Sequence, residues 1–150
     1  MAREEAALPH PIVVGASIAM SWIFEDERDE FALDIAQYVD RCGALAPVLW
    51  RWEVQNTLLS ALRRKRIDED QLANRPSDIE ALPIEFDVPF GFGTEVALAR
   101  QFNLTVYDAA YLELAMRRNC HLATKDVALR KAAKVSGVPF TSSSTSSFGP

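Results

Sequence analysis

Short apolar runs alternate along this chain with longer stretches whose apolar residues recur at helical spacing, and that alternation is its strongest constraint. A strand that is apolar on both faces must be covered on both faces, and helices returning the chain to the same end of a sheet provide that cover. Pro11-Ile12-Val13-Val14, ending at Gly15, reads as such a strand. Ala44-Leu45-Ala46-Pro47, His121-Leu122-Ala123-Thr124 and Val138-Pro139-Phe140 read as others, while Pro83-Ile84-Glu85-Phe86-Asp87 alternates as an exposed or edge strand would.

The intervening spacing predicts helices. Ser17 is the expected N-cap of a short one reaching Ile23. Further helices are expected over Glu27 to Arg41 and Trp50 to Arg66. Asp68 can cap another towards Asn74, broken near Pro76 and extended by Ser77 to Leu82 as a second piece. Thr94 to Phe102, Val106 to Arg118 and Asp126 to Val135 complete the set, with Gly91-Phe92-Gly93 as a turn before a Thr94 cap. The expected architecture is α/β, with a mainly parallel central sheet flanked by helices on both faces.

The length of 150 residues suits one domain with a substantial core. A single unit over residues 1–140 is expected, followed by a flexible Ser/Thr-rich tail over 141–150 with little apolar surface to order it. The apolar stretch Pro11 to Met20 is too short to cross a bilayer, and Arg3-Glu4-Glu5 is a poor signal-peptide start, so no membrane partner and a cytoplasmic location are expected. Cys42 and Cys120 fit reduced, buried thiols, and neither lies in a CxxC zinc pattern. A net charge of −5 argues against nucleic acid only if charge is spread evenly. It is not: Arg63-Arg64-Lys65-Arg66 is a dense basic run, and it suits both a helix C-terminus and an RNA phosphate contact.

In an open parallel sheet, ligands gather beyond the carboxyl ends of the strands. Gly15-Ala16-Ser17, the helix start carrying Glu53, the helix start at Asp108, and Thr124-Lys125-Asp126 are all expected there. Each acid has an ordinary alternative: Glu53 suits a helix dipole, and Asp108 and Asp126 could be N-caps. Three caps would have no reason to gather at one end. Converging carboxylates repel unless a cation joins them, and hard oxygen ligands favour Mg²⁺ or Mn²⁺ over zinc. His10 and His121 suggest neither a triad nor a metal site, and Trp22, Trp50 and Trp52 are packing anchors by default, with RNA stacking as the lesser reading.

Four motifs in order then resemble one family. Val13-Val14-Gly15-Ala16-Ser17 is similar to the opening strand and turn of VapC-type PIN domains, Pro47 to Asn56 to their second motif, Tyr107-Asp108-Ala109-Ala110-Tyr111 to the third, and Leu122-Ala123-Thr124-Lys125-Asp126 to the fourth. The resemblance covers Val13 to about Phe140. It implies a three-layer PIN-like fold and a metal-dependent ribonuclease toxin of a toxin–antitoxin pair. Glu53, Asp108 and Asp126 would be its catalytic and metal-site acids, with Asp108 a direct ligand of Mg²⁺ or Mn²⁺ and Ser17 orienting a ligand or water. It also implies a homodimer, an RNA substrate, a cognate VapB-type antitoxin that blocks the acidic site, and DNA contact only through that antitoxin. One departure stands out: the family's first aspartate is replaced by Gly15, a lost ligand position, so a weakened enzyme or a pseudo-nuclease that only binds antitoxin or RNA is expected. A phosphatase-like or receiver-like domain would need a nucleophilic aspartate at that same strand end, which Gly15 removes.

Overall fold

The structure, a computed structural model, describes residues 10–89, 91–138 and 140–141. Five strands, β1 (Ile12–Val14), β2 (Ala44–Pro47), β3 (Ile84–Asp87), β4 (Leu122–Ala123) and β5 (Phe140–Thr141), form one sheet in the order β3-β2-β1-β4-β5. Every neighbouring pair is parallel. The helices are α1 (Ala16–Ile23), α2 (Glu30–Cys42), α3 (Trp50–Arg63), α4 (Glu69–Glu80), α5 (Thr94–Phe102), α6 (Val106–Arg118) and α7 (Val127–Val135).

The strand order places the topological switch point at the centre. From β1 the chain steps outward to β2 and β3, then returns across the sheet to β4 and β5 on the other side. In such a sheet the ligand position is expected beyond the carboxyl ends of β1 and β4. Strand register sets the layers: Val13, Leu45 and Leu122 join a core with Trp50, Leu112 and Leu114 on one face. Ile12 and Val14 pack on the other with Phe31, Ile35 and Val39 of α2. The result is the expected three-layer α/β sandwich, with β3 at an edge as its alternation requires.

Several helix ends differ from expectation, each for a local reason. Ser17 is not an N-cap: α1 starts at Ala16 directly after Gly15, and no side chain caps it. A 3-10 turn over Glu25–Glu27 precedes α2, whose cap is Asp29, accepting from the Ala32 amide. Helix α3 stops at Arg63 because Lys65 takes a left-handed conformation, with φ 60°. Pro76 does not break α4 into two pieces. The Asp68–Gln71 capping box organises its first turn, and Leu72 and Ile79, two turns apart, pack against the main core on either side of the proline. Gly93, at φ 112°, caps α5 in place of Thr94. The last strand is displaced from the expected run to Phe140–Thr141, and the remainder of the predicted tail lies outside the described residues. Cys42 and Cys120 are both free thiols, with only Cys120 fully buried. No helix among the described residues is long and apolar enough to cross a membrane.

Candidate active site

Gly15 lies at the carboxyl end of β1, and its amide donates to the Ala123 carbonyl at the end of β4 (2.9 Å). Its backbone, at φ −70° and ψ 155°, is open to any residue, so conformation does not require glycine here. Nor does space. A Cβ at this position would sit 3.4 Å from Thr124 Oγ1, 3.5 Å from the Ala123 carbonyl and 3.6 Å from Ser17 Oγ, all ordinary contacts. Both hydroxyls accept backbone hydrogen bonds: Ser17 Oγ from Lys125 N (3.4 Å) and Thr124 Oγ1 from Asp126 N (3.1 Å). Among the described residues neither hydroxyl donates one, so both protons are free for an acceptor placed on residue 15.

The acids arrive on three helix starts. Glu53 is in the first turn of α3, and the Tyr111 hydroxyl donates to its Oε1 (2.5 Å). Asp108 is in the first turn of α6 but is not its cap; Thr105 takes that role, accepting from the Asp108 amide at 3.0 Å. Asp126 is the N-cap of α7, where its Oδ1 accepts from Leu129 N at 2.8 Å. The capping explanation therefore accounts for one oxygen of Asp126 and for nothing at Asp108.

The electrostatics follow this placement. Burial pushes the Glu53 carboxyl above its ordinary range, Tyr111 partly offsets that, and the nearby Asp108 charge adds to it. Burial likewise raises Asp108, with the Asp126 charge adding and the Thr105 hydrogen bond opposing. Tyr111 is itself held neutral, first by burial and then by Glu53, so its phenol remains a donor. Among the described residues no lysine or arginine pairs with any of the three acids. Lys125, beside Asp126 in sequence, turns away to Asp29 (2.8 Å), and the Arg130 guanidinium donates to the Thr124 carbonyl (2.7 Å).

A divalent ion fits this pole in kind but not in number. The donors are hard oxygens in a partly desolvated setting that favours a cation. Yet among the described residues no group of three or more histidine, cysteine, aspartate or glutamate side chains is gathered tightly enough to hold one. Among the described residues the donor set stops short of a complete site, and Gly15, at the end of β1, adds no side-chain donor to it. Tyr111 and Thr124 were not singled out from the sequence as site residues. The signal for Tyr111 was present: three positions after Asp108, it stands on the same face of α6, one turn along. His10 and His121 stand at the opposite, amino ends of β1 and β4.

Fold and pole together define a parallel α/β domain with uncompensated carboxylates beyond its switch point. The chain belongs to the PIN domain family, whose model matches residues 12–135, and that family is of nuclease type. Among solved structures it is similar to the crystal structure of PAE2754 from Pyrobaculum aerophilum. The TM-score is 0.66 and the identity 19%, over 91% of this chain and 88% of the other, a likeness that shows the fold. No curated protein matches the sequence.

Proposed function

We propose that this protein is a VapC-type toxin built on a ribonuclease PIN domain whose acidic site is one carboxylate short. As it stands it holds RNA and a cognate antitoxin but cleaves RNA weakly or not at all. The observation that carries this reading is the cradle at Gly15: an ordinary backbone, room for a side chain and, among the described residues, two hydroxyl protons without an acceptor beside acids that no cation offsets. An aspartate there would receive those hydrogen bonds and complete the donor set, with Asp108 nearest to a direct ligand, Glu53 held by Tyr111, and Asp126 contributing its uncapped oxygen. Mg²⁺ or Mn²⁺ is the cation such oxygens select.

The antitoxin reading draws on a second feature. Between α3 and α4 lies a groove of about 290 Å³ with an apolar floor that includes Trp50, Val54, Leu58 and Ile79, and with Arg51, Gln55 and Glu80 also lining it. An apolar segment of a VapB-type partner seated there could bring a lysine or arginine to the acidic pole. Homodimerisation belongs to the same proposal.

The test compares this chain with Gly15→Asp in Mn²⁺ titration calorimetry and in cleavage of total RNA. A carboxylate bound directly to the ion contributes about tenfold or more in affinity, or ~1.4 kcal/mol. The aspartate form is expected to bind Mn²⁺ that much more tightly, to cleave, and to be toxic without antitoxin. Equal cleavage by both forms at matched Mn²⁺ would overturn the assignment of residue 15. Absence of binding and cleavage in both would leave a pseudo-nuclease.

A further inference from the structure

We propose that the outward stripe of α3, Trp52–Asn56–Leu59–Arg63, is the track on which unpaired RNA lies as it leaves the acidic pole; this rests on the RNA reading above. The spacing of four, three and four residues holds these side chains within one narrow arc of the helix. All four are exposed, and they are not the face that packs: Trp50, Val54, Leu58 and Ala61 do that. Trp52 is 62% exposed, unlike Trp50, which is buried, and Trp22, whose indole donates to the Ala32 carbonyl. An indole left in water one residue from Glu53 costs solvation without adding to the core.

The stripe also has a direction. It begins in the first turn beside the acids and ends about 16 Å away at Arg63, by the rise of 1.5 Å per residue. Arg63, Arg64 and Lys65 are all exposed there and make no ion pair among the described residues. Arg66, by contrast, is occupied: its guanidinium bonds Asp26 and lies over the Phe24 ring, 4.2 Å from the centroid. The basic run thus divides into one structural arginine and three free cations at the far end of the stripe. An aromatic face for a base, an amide, a small apolar contact and a cationic terminus form the sequence of groups that a single strand uses. A protein segment is served less well, since two apolar side chains separated by Asn56 offer little to bury.

The experiment measures anisotropy of a fluorescein-labelled, unstructured single-stranded RNA with the full chain, in EDTA so that binding alone is read. Trp52→Ala is expected to weaken binding about tenfold, with Trp52→Phe recovering most of it. Arg63→Ala is expected to lower the slope of log affinity against log salt by about 0.7, whereas Lys131→Ala, an exposed cation on α7, leaves it unchanged. If the chain binds RNA and the α3 variants bind equally well, the track is wrong and the RNA reading stands. If the chain binds no RNA at all, both fall. If Trp52→Ala changes the oligomeric state in light scattering but not RNA affinity, the stripe is an interface between copies and the proposal is overturned.

Discussion

Two groups of carboxylates in this molecule meet opposite electrostatic fates. Asp87, at the end of β3, and Glu113, on α6, both lie against the Arg117 guanidinium, and Arg118 adds a longer contact to Asp87 at 3.4 Å. Among the described residues no lysine or arginine pairs with Glu53, Asp108 or Asp126, and burial raises the carboxyls of Glu53 and Asp108 above their ordinary range. Asp108 and Glu113 even share one helix. The chain therefore has the means to neutralise half-buried acids and does so where they serve structure. Where it does not, the uncompensated charge is a cost to the fold, and such a cost persists where a ligand or a substrate makes use of it.

The contrast is broken most strongly by adding a further acid to the pole. Gly15→Asp is expected to lower thermal stability slightly without divalent ions, since a further negative charge joins the pole. In Mn²⁺ at a hundredfold excess over Kd, binding to the native state alone contributes about 2.7 kcal/mol, or roughly 5–10 °C in Tm for a domain of this size. Thermal melts with and without Mn²⁺ check this, and the parent chain should respond far less. Next comes Arg117→Ala, which turns the compensated group into an uncompensated one. A loss of about 2 kcal/mol is expected in urea unfolding, below the value for a fully buried pair because these side chains keep some solvent contact. A loss under ~0.5 kcal/mol would show that the arginine is dispensable and would remove the contrast.

The smallest effect sharpens the same comparison from the acidic side. Both raised carboxyls bind protons more tightly in the native state than in the unfolded chain. Their contribution to stability is therefore greatest at low pH and falls as pH rises from the ordinary carboxylate range through the raised native values. Glu53→Gln, which keeps an acceptor for Tyr111, should gain about 1–2 °C at neutral pH. The double variant with Asp108→Asn should lose most of that pH dependence. Unchanged melting curves across pH 4–7 in parent and double variant alike would argue that solvent, not the neighbouring acids, sets the potential there.

Much of this was legible in the residues themselves. β1 followed from a β-branched run, β2 and β4 from short apolar runs, the edge position of β3 from its alternation, and α6 from an unbroken helical period between Val106 and Arg118. Helix ends were less legible because capping is a contest between neighbours. Thr105 displaced Asp108 from the cap, and Asp29 displaced Glu27 as the start of α2. In both cases the winner is the residue whose extended backbone lets its side chain reach an amide three positions on. Pro76 misled for a different reason: a proline's local cost is offset when apolar residues on either side of it share one core.

Sequence by itself determined which acids this chain possesses, that its helices and strands alternate, and that a glycine follows the first strand. These are properties of residue type and spacing, and they need no knowledge of distant neighbours. Only the tertiary structure decided which carboxylates would be neutralised. Asp87 meets Arg117 across thirty positions of chain, and Glu53 meets Tyr111 across fifty-eight. The same is true of the cradle at Gly15, whose walls come from α1, β4 and the loop after β4. Charge pairing acts over a few ångströms, and only the packing of helices and strands from distant parts of the chain sets which groups lie within that reach.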